Sequence, residues 1–148
     1  MTAFSKNIYR ALALGQSYYR SGSILYAEAQ VRDALPFLVQ SLDQSLVVYV
    51  EAVTGVLQKS KTRGTLLNSL KNDPFLHEIK TLLNSLESLI ELTENSMTPL
   101  PDNKKQHLDT FIRHIEKVYV QVNHVVRKKY PSAVRKRLDQ LLSSFFKN

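Results

Sequence analysis

Residues 34–56 read ALPFLVQSLDQSLVVYVEAVTGV, and the spacing within them decides the fold class. Leu35, Leu38, Leu42, Leu46, Tyr49, Val53 and Val56 recur at intervals of three and four. That period lays a single apolar stripe along an α-helix. Asp33 reads as the cap of this helix, and Pro36 follows where a backbone N–H lacks a helical partner anyway. The helix is expected to run from Ala34 to about Lys59. Val47, Val48 and Val50 make its middle apolar on every side, and a helix apolar all round is either central or part of an interface. The three valines are therefore the candidate interface. Val48→Glu is expected to break a dimer if they face outward and to unfold the protein if they are core.

The same period extends in both directions. Upstream, Phe4, Ile8, Ala11, Gly15, Tyr18, Gly22, Leu25 and Ala29 form a helical seam from Phe4 to Ala29, with small members that let another backbone come close. Downstream, KSKTRG at 59–64 is a polar breaker and TLLNSLK a short helical turn. Asp73-Pro74 is a cap followed by proline at the first helical position. It starts a helix expected to reach Asn95, with Phe75, Ile79, Leu82, Leu86 and Leu89 as its seam and Glu87, Glu91 and Glu94 on its outer side. A fourth long helix is expected from Asn103 to Lys129, with Leu108, Phe111, Ile115, Val118, Val122 and Val125 inward. Tyr130-Pro131 stops it, and Ser132 caps a short last helix carrying Val134, Leu138, Leu141 and Phe145. The expected fold is all-α: an antiparallel four-helix bundle with a short fifth C-terminal helix, in a single domain over residues 1–148.

A chain of 148 residues holds a real core. It has no cysteine, which removes disulfides, thiolate metal sites and cysteine nucleophiles and fits a reducing compartment, so a cytoplasmic location is expected. Lys6 and Arg10 interrupt the N-terminal segment where a signal peptide would need an apolar core. The longest purely apolar run, Leu46 to Val50, falls far short of the roughly 20 residues that span a bilayer, so no membrane association is expected. The net charge of +7 is unevenly placed. Residues 104–148 hold eleven Lys and Arg against three Asp and Glu, while residues 72–103 hold one against six.

No nucleophile elbow, phosphate loop, zinc-protease helix, calcium loop or kinase signature occurs, and each of these encodes geometry its reaction needs. No Glu has a His three residues on, the pairing by which helical bundles hold two metals. His107 and His114 share a face of the fourth long helix, two turns apart, too far to chelate one ion unaided. The sequence thus calls for no metal, no cofactor and no catalytic residue. Its most pointed chemistry is RKKYPSAVRKR at 127–137, with six basic side chains in eleven residues. Arg127, Lys128 and Lys129 end a helix, where positive charge suits the dipole; Arg135, Lys136 and Arg137 enter the next. With Tyr130 between them they are the candidate nucleic-acid contact, cations for phosphate and a ring for an unpaired base. Lys59, Lys61 and Arg63 would add to it if the fold brings their loop alongside. The expected function is a non-enzymatic interaction module with a protein partner or a second copy of itself, and nucleic-acid binding is the alternative.

YYRSGSILYAEAQVRDALPFLVQSLDQSL, residues 18–46, resembles the first helical hairpin of HEPN-type bundles: a helix, a short turn with Arg-Asp-Ala, then an apolar helix with small residues. The resemblance implies a helical bundle related either to ribonuclease toxins or to the non-catalytic partners of nucleotidyltransferases. The family's ribonucleases carry Arg, four to six residues, then His. Here Arg113 is followed directly by His114, His124 lies eleven residues on, and no arginine has a histidine at the family's spacing. The resemblance therefore implies the non-catalytic type, with a HEPN-like ribonuclease or antitoxin-associated role as a further alternative.

Overall fold

A computed structural model describes residues 3–58, 61–81, 83, 84, 102–129, 136 and 140. Among these the chain is helical and contains no strand. The helices are α1 (Ala3–Ala27), α2 (Val31–Thr54), the one-turn α3 (Arg63–Leu67), α4 (residues 74–81, 83 and 84) and α5 (Asp102–Lys129). The predicted long helices recur in α1, α2, α4 and α5, while α3 starts within the expected breaker and ends at Leu67, short of the expected turn over residues 65–71. The second half of the expected 74–95 helix and the apolar positions of the short last helix lie outside the described residues.

The core is built on α2. Leu35, Leu38, Leu42 and Leu46 are buried, and so are Val47, Val48 and Val50. The valines do not form an exposed interface within this chain: α2 is the central helix, and all-round apolarity is what a helix needs when neighbours cover more than one side. Gly15 and Gly22 bring α1 close to it. A Cβ on Gly22 would lie 2.8 Å from Leu38 Cδ2, and one on Gly15 would lie 1.9 Å from the hydroxyl of Tyr119 on α5. That hydroxyl, in a fully buried side chain, donates to the Ser41 carbonyl at 2.9 Å, while Ser41 Oγ donates to the Gly15 carbonyl at 2.8 Å. One small-residue notch thus seats the junction of α1, α2 and α5.

Side-chain pairs fix the directions. Tyr19 donates to Glu116 at 2.7 Å and Tyr26 to Asp109. One heptad forward on α1 is one heptad back on α5, so these helices are antiparallel. Asn7 with Glu51, and Gly15 with Ser41, show the same for α1 and α2.

Three boundaries differ from expectation. Helix α2 begins at Val31, with Gln30 as its N-cap and no side-chain cap, so Asp33 lies within the first turn. The reason is a backbone-closed turn: Ala29 adopts φ 62°, and the N–H groups of Gln30 and Ala29 donate to the carbonyls of Leu25 and Tyr26. This is the bonding of a Schellman stop, with alanine where glycine is usual. Ala29 is accordingly exposed and outside the α1 seam. At its other end α2 stops at Thr54, because Gly55 takes φ 72° and returns its N–H to the Glu51 carbonyl. Val56, expected in the inward stripe, is left 59 % exposed. The Asp73-Pro74 start holds: Asp73 Oδ1 accepts the N–H groups of Phe75 and Leu76 at 3.0 and 3.1 Å.

Candidate polyanion interface

The first charged group to place is Glu51, fully buried near the end of α2. Asn7 Nδ2 donates to its Oε2 at 2.6 Å and the Gln58 N–H to its Oε1 at 3.2 Å. Lys61 Nζ reaches the other side of the Asn7 amide at 3.4 Å. One carboxylate thus fastens the start of α1 and the loop after α2 to the end of α2. Thr54 Oγ1 tightens the loop by donating to the Val50 carbonyl and accepting the Val56 N–H. Val56 and Leu57 protrude from it, 59 % and 47 % exposed.

The antiparallel register carries α5 to the same end. From Tyr26 with Asp109 and Tyr19 with Glu116, a further heptad sets Leu12 level with Asn123, and three more residues set Tyr9 level with Val126. The start of α1, the loop after α2 and the end of α5 therefore meet at one end of the molecule. Exposed Lys6, Arg10, Lys61, Arg127 and Lys128 collect there from three separate parts of the sequence.

Several of the described carboxylates are engaged inside the fold. Glu51 is enclosed as described. Asp73 caps α4 and accepts the Tyr49 hydroxyl at 2.9 Å on its second oxygen. On α5, Asp109 and Glu116 accept from tyrosines of α1. Arg113, Lys117, His124, Arg127 and Lys128 stand along the exposed side of that helix, with Val120 among them. From Arg113 to Arg127 the stripe is about 21 Å long at 1.5 Å per residue.

The buried tyrosines report the same inward commitment. The Tyr26 hydroxyl is pushed up to about 12, first by burial and then by its bond to Asp109 and that group's charge. Burial raises Tyr19 and Tyr49 further, helped by Glu116 and Asp73 respectively. It also raises Tyr119, against the opposing bond with Ser41. All four act as hydrogen-bond donors, in keeping with a neutral phenol.

Of the candidate nucleic-acid residues, Arg127, Lys128 and Lys136 are exposed, and Lys129 ends α5. Tyr130, Arg135 and Arg137 lie outside the described residues. Lys61 joins this end, whereas Arg63 turns back to Asp43 in a two-pronged ion pair at 2.7 and 3.0 Å. Lys59 is outside the described residues. Lys6 and Arg10 carry no sequence signal that links them to the C-terminal cations; only the antiparallel register does so.

Grooves open among the described residues. One of about 430 Å³ runs between α3 and the start of α4 past Lys71, His77 and Lys80, and one of about 190 Å³ lies between α4 and α5 at Phe75, Glu78, His114 and Lys117. Neither sets a Ser, Thr or Cys beside a histidine. No group of three or more His, Cys, Asp or Glu suited to a metal ion occurs among the described residues. No described helix is long and apolar enough to cross a membrane. Among the described residues the fold defines a class, an all-helical protein. No protein-family model matches the chain, and no curated protein or solved structure matches it.

Proposed function

We propose that this protein is a non-enzymatic binding module whose cationic end takes the phosphate backbone of a nucleic acid. The carrying observation is the set of exposed cations Lys6, Arg10, Lys61 and Lys128 toward one end, where the described carboxylates Glu51 and Asp73 are spent on internal hydrogen bonds. Exposed cations gain from releasing the counterions condensed on nucleic acid, and the gain scales with the number of phosphates met. Arg135, Lys136 and Arg137 continue the same charge from the end of α5. In this reading α4 runs antiparallel to α5 and completes a four-helix bundle, which serves as a rigid holder for the end.

The test is polarisation of a labelled RNA strand across a salt series. Lys6→Gln, Arg10→Gln and Lys61→Gln together are expected to weaken binding and lower the slope of log affinity against log salt by about 2, at about 0.7 per phosphate contact on a single strand. Arg32→Gln with Lys105→Gln, at the opposite end, should leave the slope unchanged. Equal loss from both sets would refute a localised interface.

A protein partner is the second reading, favoured by the exposed Val56 and Leu57 on a loop held by Glu51 and Thr54. Val56→Ser with Leu57→Ser should then abolish the complex without altering helix content or the salt slope for RNA.

A further inference from the structure

We infer that the nucleic acid at this end is single-stranded, and that Tyr9 is the platform on which an unpaired base stacks. The inference rests on the nucleic-acid reading above and goes beyond it to the form of the ligand.

Tyr9 differs from every other aromatic side chain whose burial is described. Tyr19, Tyr26, Tyr49 and Tyr119 donate their hydroxyls to partners inside the fold. Tyr18 packs with Phe37 at a ring separation of 6.5 Å, Phe75 lies 4.5 Å from the Tyr49 ring, and Phe111 is fully buried. Tyr9, 38 % exposed, is the one in the exposed class. Its sequence position puts it three residues after Lys6, a spacing that makes the two neighbours on the helix surface, and Lys6 in turn neighbours Arg10 four residues on. The antiparallel register carries it to the level of Val126, one residue before Arg127.

A ring set among cations suits a single strand for a definite reason. Lys6 and Arg10 can meet successive phosphates while the base between them lies on the phenol face, and any base serves because each has a π-face. In a duplex the faces are already stacked on one another, so Tyr9 would have nothing to bind and only the cations would act. Charge and stacking are therefore separable: the cations set the salt slope, and the ring sets the additional affinity for strands with free bases.

The experiment compares wild type, Tyr9→Ala, Tyr9→Trp and Lys6→Gln on labelled oligo-dT, on a duplex, and on a strand of equal length lacking bases. Alanine favours an exposed helix position, so Tyr9→Ala keeps the fold. It is expected to bind oligo-dT about 5- to 150-fold more weakly, the range for loss of one stacked base, with the salt slope unchanged. Its affinity for the duplex and for the base-less strand should match wild type. Tyr9→Trp should retain oligo-dT binding, and Lys6→Gln should lower the slope on all three. Undiminished oligo-dT binding by Tyr9→Ala, or an equal loss on the duplex, overturns the single-strand inference while the phosphate reading stands. Absence of binding to all three probes at low salt overturns both. So does binding of vesicles rich in anionic lipid in place of the probes, which would assign the end to a lipid surface.

Discussion

Gly15→Ala is expected to destabilise this protein although it improves an α-helix. In a solvated helix the change gains about 1 kcal/mol. Here the new methyl would stand 1.9 Å from Tyr119 Oη and 3.1 Å from Cζ, deep within the contact distance of either atom. Tyr119 cannot yield without losing its 2.9 Å bond to the Ser41 carbonyl, and no water is near a side chain at 0 % exposure to replace it. Overpacking of a filled core costs about 1–3 kcal/mol, and a buried hydroxyl left unpaired costs about 1–3 kcal/mol more. After the propensity gain, the net is a loss of about 1–5 kcal/mol, a sizeable share of the stability typical of one domain. Urea unfolding followed by circular dichroism reads it as a lower midpoint at unchanged slope. Tyr119→Phe removes the clashing oxygen, so Gly15→Ala should be far less costly in that background, with a coupling of about 0.5–3 kcal/mol. Gly15→Ala as stable as wild type, or strict additivity with Tyr119→Phe, would refute the notch.

Val48→Glu should unfold the chain, because Val48 is fully buried and a carboxylate there has no partner; a folded monomer with native helix content would contradict the central position of α2. Glu51→Ala should lower stability by about 1–3 kcal/mol through the orphaned Gln58 N–H and Asn7 amide, and hydrogen exchange should quicken first at Gln58. Alkaline pH should weaken the fold through its tyrosines. Tyr26 is raised from an ordinary value near 10 to about 12, so the unfolded chain loses that proton first and the associated stability, whole below 10, drains as pH rises from 10 to 12. Thermal melts across that range should show a shallower decline for Tyr26→Phe than for wild type.

Much of the helical layout was legible because it depends on local chemistry. The three-and-four spacing of α2 and α5, the Asp73-Pro74 start of α4 and the small residues of the α1 seam announce themselves within a few turns of chain. Helix ends were read less well, since an alanine at positive φ and Gly55 stop helices through backbone bonds that side-chain identity signals weakly.

What Val47, Val48 and Val50 do was open in the sequence. Apolarity on every side suits a core helix and an interface helix alike, and only neighbours packed around α2 decide between them. Likewise, composition gave the charge at residues 127–137, but not its company. Lys6, Arg10 and Lys61 join it because tyrosines one heptad apart on α1 meet carboxylates one heptad apart on α5, and because Glu51 fastens two chain segments together at the end of α2. The sequence by itself determined the helices, since periodicity acts over a few residues. Tertiary structure alone decided which charges share an end, since antiparallel packing joins residues more than a hundred positions apart and leaves no periodic trace between them.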